Sequence, residues 1–183
     1  MDPKIKTATG PTILLQSGAY FDLLDPWGSD FTIVDIAHGL SLTCRYAGQC
    51  REFYSVAEHS WHTSFLVPPA IQMSALMHDA AEAFIGDVTR PLKSLLPDYK
   101  WIEKNIEHAI AQRFGLAGMD DPAVKAADTA MLAAEQAAIM PTHDDHWAVL
   151  EGVTPAPVNL RLWSPETGRF QFLDRFMDLG GRL

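Results

Sequence analysis

Apolar residues in this chain cluster in runs of helical length, and the longest of them sets the frame. From Ile71 to Ile85 the sequence is rich in good helix formers with little polar surface, among them Met73, Leu76, Met77, Ala80, Ala81 and Phe84. This pattern predicts one buried central helix, with Pro69 in its first turn and Gly86 at its end. Other helices are predicted around it. Asp35 is a plausible N-cap for a helix from Ile36 to about Arg45. Ser55-Val56-Ala57-Glu58 reads as a capping box opening a helix that stops at Pro68-Pro69. Asp98 can cap Tyr99–Phe114, with Gly115 as the C-cap. Asp121-Pro122 opens a helix through Met140, and Ser164-Pro165-Glu166 opens the last one. Residues 1–30 read as irregular, with a short strand at Thr12–Leu15. Residues 89–96 read as a connector, and 142–163 as a long surface segment. About six helices are expected, in an all-α, single-domain helical bundle over residues 1–183.

Composition narrows the partners. The 183 residues are 48% hydrophobic, which argues against disorder. The formal net charge of −9, with no dense basic cluster, excludes a duplex nucleic-acid binder but leaves room for a small phosphorylated substrate. Cys44 and Cys50 form no CxxC pair, and no signal peptide or long apolar run is seen, so a cytoplasmic protein with reduced thiols and no membrane segment is expected.

Inside the central apolar run sit His78, Asp79 and Glu82, with Asp87 just beyond Gly86. Buried ionisable groups are costly unless paired or bound to a metal. On a helix His78 and Glu82 share a face, as do Asp79 and Glu82, and the mixed nitrogen and oxygen donors suit borderline or hard divalent ions. A core histidine with solvated carboxylates fits the same text. Further donors are available in His59, with His62 as a rival partner three residues on, and in Asp128, the one acid in the apolar stretch Val124–Leu132.

Taken in order, His59, His78-Asp79 and Asp128 resemble the H…HD…D pattern of the HD-domain phosphohydrolases. Val56-Ala57-Glu58-His59-Ser60, His78-Asp79-Ala80-Ala81-Glu82 and Gly86-Asp87 resemble the bacterial 5′-deoxynucleotidase branch, to which phage dATP triphosphohydrolases are related. The resemblance spans about residues 35–140. It implies an HD-domain fold, and His59, His78, Asp79 and Asp128 as ligands to one divalent ion: Co²⁺, Mn²⁺, Zn²⁺ or Fe²⁺, with Mg²⁺ also possible. It implies Glu82 and Asp87 as the catalytic acids, and Arg45 with Tyr46 at the substrate, Tyr46 standing where the family has a tryptophan. The expected activity is hydrolysis of the 5′-phosphate ester of (deoxy)nucleoside monophosphates by a metal-activated water. The alternatives are a triphosphohydrolase releasing tripolyphosphate, a non-catalytic nucleotide- or metal-binding module, and a two-metal phosphodiesterase. A homodimer is expected, the Ala133–Ala138 run serving as a packing face or dimer seam.

Other chemistry-bearing residues read as bystanders. His143-Asp144-Asp145-His146 lies in a predicted loop with no apolar scaffold. His38 and His108 read as structural, Arg51 and Arg90 as surface charges, and Trp27 or Trp61 as candidates to stack on a base.

Overall fold

The computed structural model describes residues 8–117, 119–145 and 147–183. Among these, eight α-helices form the fold: α1 (Ile33–Leu42), α2 (Val56–Thr63), α3 (Gln72–Leu76), α4 (Glu82–Ile85), α5 (Arg90–Lys93), α6 (Pro97–Phe114), α7 (Pro122–Ile139) and α8 (Pro165–Asp178). The expected strand, β1 (Thr12–Leu14), pairs antiparallel with β2 (Tyr20–Asp22), which the sequence reading missed. None of the helices is long and apolar enough to cross a membrane. The all-α architecture agrees with expectation. The helix count exceeds six because the central helix is divided and the 89–96 connector contains α5.

Local chemistry explains most boundaries. Asp121 caps α7 through Ala123 N, and Ser164 caps α8 through Thr167 N, each with proline at the first helical position. Gly115 ends α6 at φ 62°, the left-handed conformation glycine adopts at little cost. Two caps were misassigned. Thr32, not Asp35, caps α1; Asp35 is the third-position acid of that capping box, so the helix starts earlier and ends at Leu42. Asp98 lies in the first turn of α6, which follows Leu96 without a side-chain cap.

The uninterrupted helix expected over 69–85 is absent. A 3-10 turn over Pro69–Ile71 leads into α3, residues 77–81 form successive turns, and α4 follows. Within the turns amides bond to the third residue back: Ala80 N to Met77 O and Glu82 N to Asp79 O, both at 3.0 Å. Alanine-rich text favours an α-helix, so the tighter winding comes from packing. Met77, Ala80 and Ala81 are buried in the core, and Phe84 stacks on Phe21 with ring centroids 4.0 Å apart. Gly39 of α1 lies so close to α4 that an added Cβ would sit 2.6 Å from Ala83 O.

Helix α2 lies against α1, α3, α7 and α8. It ends at Thr63, short of the proline stop. Its N-cap is as expected, Ser55 accepting from Glu58 N. The Glu58 side chain, however, does not turn back to Ser55. It accepts the backbone N–H groups of Arg161, Leu162 and Trp163 at 2.5, 3.0 and 2.8 Å, holding Leu162 at φ 55°. The end of the 142–163 segment, at residues 161–163, is therefore strapped to the core rather than lying free on the surface. Removing this carboxylate orphans three amides, each costing about 1–3 kcal/mol if it stays buried. We expect Glu58→Ala to destabilise the fold by about 3 kcal/mol in urea unfolding and to speed amide exchange at 161–163; an unchanged midpoint would refute that role.

Candidate metal centre

Three elements bring the predicted donors together. His59 comes from the middle of α2 and is fully buried. His78 and Asp79 come from the turns between α3 and α4, and Asp128 from the second turn of α7. One ligand atom each from His59, His78 and Asp128 lies within 4.8 Å of the others. His59 Nε2 is 3.2 Å from Asp128 Oδ1 and 3.3 Å from His78 Nε2. Asp79 Oδ2 is 3.2 Å from His78 Nε2 and 3.6 Å from His59 Nε2, and is also 3.4 Å from the Arg45 guanidinium. Donors about 2.1 Å from one tetrahedral ion stand about 3.4 Å apart, so these separations suit a shared cation.

The imidazole protons sharpen the case. His59 Nδ1 faces Glu135 Oε1 at 2.5 Å, and His78 Nδ1 faces Ala75 O at 2.7 Å. Both partners are acceptors, so both Nδ1 atoms carry hydrogen, and the two Nε2 atoms are left facing the same point. Two Nε2 atoms 3.3 Å apart need positive charge at that point, a proton or a metal ion, to offset the repulsion of their lone pairs. A shared proton would serve one such contact, while the three donor atoms of His59, His78 and Asp128 could together hold a metal ion, with Asp79 beside them. The field agrees. Burial and Arg45 work to lower the pKa of His59, yet Glu135 and Asp128 push it up to about 9. Burial works to raise that of Asp79, yet His78, His59 and Arg45 hold its carboxyl well below the usual range.

A cavity of about 660 Å³ opens beside the cluster, a size suited to a small-molecule ligand. Its lining combines the charged Arg45, Asp79, Glu82, Asp87, Arg90, Lys93 and Asp128 with the apolar Leu132, Met140, Trp147 and Val149, with Tyr46 also in the wall. Glu82 is buried, and its Oε2 has no hydrogen-bond partner. Burial and the neighbouring Asp79 and Asp87 push its carboxyl well above the usual range. Asp87 Oδ2 accepts the Tyr46 amide at 3.1 Å. Tyr46 and Ala47 both adopt positive φ, 59° and 51°, a strained turn that this contact helps to fix. Arg45 follows α1 rather than lying on it.

No protein-family model matches the chain. It is 41% identical over 161 residues to the uncharacterized protein YfdR of Escherichia coli K12, covering 87% of this chain and 89% of that one. The chain belongs to the YfdR family. An uncharacterized protein of Rhodobacter capsulatus is 42% identical over 140 residues, 68% of this chain and 71% of that one. Neither name assigns an activity, so the chemistry of this YfdR-family chain is argued from the site.

The remaining candidates fall outside the cluster. His62 points to Glu58, 3.6 Å away, and stacks on Trp163, so the His59–His62 pair does not form a site. Trp61 packs on Phe65 and Trp163, and Trp27 lines a separate small cavity. His143 stacks against Trp147, while His146 lies outside the described residues. Cys44 and Cys50 are free thiols with sulfurs 3.6 Å apart. The sequence reading overlooked Glu135 and Trp147. Glu135 had a usable signal: it lies seven residues after Asp128, on the same face of an alanine-rich helix, and is fully buried.

We expect elemental analysis to find about one divalent ion per wild-type chain, and His78→Ala or Asp128→Ala to lose it. Added Mn²⁺ should raise the wild-type Tm, by about 2.7 kcal/mol of stabilisation at a hundredfold excess over Kd, and leave Asp128→Ala unmoved. A metal content unchanged in both variants would remove the cluster from consideration.

Proposed function

We propose that this YfdR-family protein is a metal-dependent phosphohydrolase acting on the 5′-phosphate ester of (deoxy)nucleoside monophosphates. The observation that carries the reading is the convergence of His59, His78 and Asp128, with the two Nε2 atoms 3.3 Å apart, beside a cavity lined by acidic, basic, apolar and aromatic side chains. A lining that offers both charged and aromatic groups suits a nucleotide, which has both a phosphate and a base. A divalent ion held by His59, His78, Asp79 and Asp128 would supply Lewis acidity at the phosphoryl group and an activated water.

The chain's own residues can supply the rest. Arg45 presents a guanidinium at the cavity, anchored on Asp79 and Glu135 at 3.4 and 3.2 Å, and can steady a phosphate or sugar oxygen. Asp87 can align water and take its proton as the oxygen–phosphorus bond forms. Glu82, kept protonated by its surroundings, can pass a proton to the departing 5′-oxygen as the phosphorus–oxygen bond breaks. The products are nucleoside and inorganic phosphate. Tyr46 and Trp147, with ring centroids 6.3 Å apart, offer faces for a base.

Charge favours the short substrate over a triphosphate. The cavity's basic residues are Arg45, Arg90 and Lys93, against the acids Asp79, Glu82, Asp87 and Asp128, and Lys93 is already paired with Glu103 at 2.6 Å. A triphosphate tail would need more uncommitted cations.

The test is phosphate release from a panel of ribo- and deoxynucleotides with Mn²⁺, Co²⁺ or Mg²⁺. Monophosphates should be turned over and chelator should stop the reaction. Tripolyphosphate release would replace this reading with the triphosphohydrolase, and bound metal without any turnover would leave a binding module. Glu82→Gln should lower kcat by about 10²–10⁴-fold while metal stays bound. The wild-type rate should fall as pH rises through the raised Glu82 pKa, where the proton to be donated is lost, and the residual rate of Glu82→Gln should lack that limb.

A further inference from the structure

Glu135 is the most heavily engaged carboxylate in the described structure, and no step above uses it. It sits on α7 with no exposed surface. Its Oε1 faces His59 Nδ1 at 2.5 Å and accepts from the Tyr54 hydroxyl at 3.0 Å. Its Oε2 accepts from the Tyr46 hydroxyl at 2.6 Å and from Arg45 Nε at 3.2 Å. A lone buried carboxylate would be costly, and this one is matched on both oxygens by donors from three separate stretches of chain. Those donors include the most buried metal-ligand candidate and both residues expected at the substrate.

We propose that Glu135 is a positioning residue that ties the metal centre to the substrate wall. Oε1 holds the His59 ring with its Nδ1 proton inward, so that Nε2 points at Asp128 and His78 as a lone pair. Oε2 holds the Arg45 fork and the Tyr46 ring over the cavity, across the strained turn at Tyr46 and Ala47. The two oxygens of one rigid carboxylate thereby set the distance between ion and substrate groups. Asp128 and Glu135 share a helix face, so α7 delivers a ligand and its support together. The metal half stands on the donor cluster alone; the substrate half rests on the hydrolase reading.

The experiment compares wild type, Glu135→Gln and Tyr54→Phe. Glu135→Gln keeps the shape but meets Arg45 Nε or His59 Nδ1–H with a second donor. We expect its affinity for Zn²⁺ and Co²⁺, measured by calorimetry, to fall about 10–100-fold. The visible spectrum of bound Co²⁺ should change, and the low-field Nδ1 proton of His59 in the Zn²⁺-loaded protein should move upfield or vanish. Tyr54→Phe removes one donor from Oε1 without touching His59, and should keep near-wild-type metal affinity and the low-field proton. Wild-type metal affinity, spectrum and proton signal in Glu135→Gln would overturn the proposal, as would an equal loss in Tyr54→Phe, which would mark the effect as general packing. Should Glu135→Gln fail to fold, the wild type decides: a Zn²⁺-loaded protein whose His59 carries its proton on Nε2 overturns it. In turnover assays at saturating metal, Glu135→Gln should raise KM, and an unchanged KM would remove the Arg45–Tyr46 half. If no nucleotide is turned over, the hydrolase reading fails and the metal measurements still decide the role of Glu135.

Discussion

A carboxylate withdrawn from water must be surrounded by donors, and α2 is held between two that meet this condition. Glu58 leaves the helix on one side and gathers the amides of residues 161–163. Glu135 arrives from α7 on the other side and grips His59. Burial works to raise the pKa of both, yet their partners hold both below the usual carboxylate range, Glu135 at about 2. Each stays charged, and each spends that charge on fixing a neighbour. The helix carrying His59 is thus located by directed contacts as well as by apolar packing.

The same economy runs through the cavity. Asp79 lies between the imidazoles and Arg45, Arg45 between Asp79 and Glu135, and Asp87 braces the Tyr46 backbone. Glu82 is the exception, a buried acid without a partner for Oε2, its pKa pushed well above the usual carboxylate range by burial and by its acidic neighbours. Unpartnered buried acids beside donor clusters are where proton chemistry is best sought. In the same cavity, Leu132, Met140, Trp147 and Val149 present apolar surface from α7 and from the stretch beyond it. That stretch reads in sequence as a plain surface loop, yet it forms a wall of the cavity.

Punctuation by proline, glycine and capping residues was legible in the text. Asp121-Pro122, Ser164-Pro165 and Gly115 act through hydrogen bonds and dihedral preferences spanning a few residues, so their outcome hardly depends on the rest of the fold. His59, His78 and Asp128 could be nominated because an ionisable group in an apolar run demands a partner, and they do converge. By the same rule Glu135 should have been nominated with Asp128; it was absorbed into an alanine-rich face instead.

What the chain alone determined is which residues carry charge into apolar surroundings and where most helices start and stop. What only the tertiary structure decided is the geometry between them. The turns at 77–81 replace a helix that the local text favours, because Phe84 must stack on Phe21 and Ala83 must meet Gly39. Glu58 abandons the local capping box for a backbone segment more than a hundred residues away. Local propensities differ by about 1 kcal/mol or less per residue, whereas the burial of an aromatic ring or the satisfaction of a buried carboxylate is worth several times that, so the distant contacts prevail.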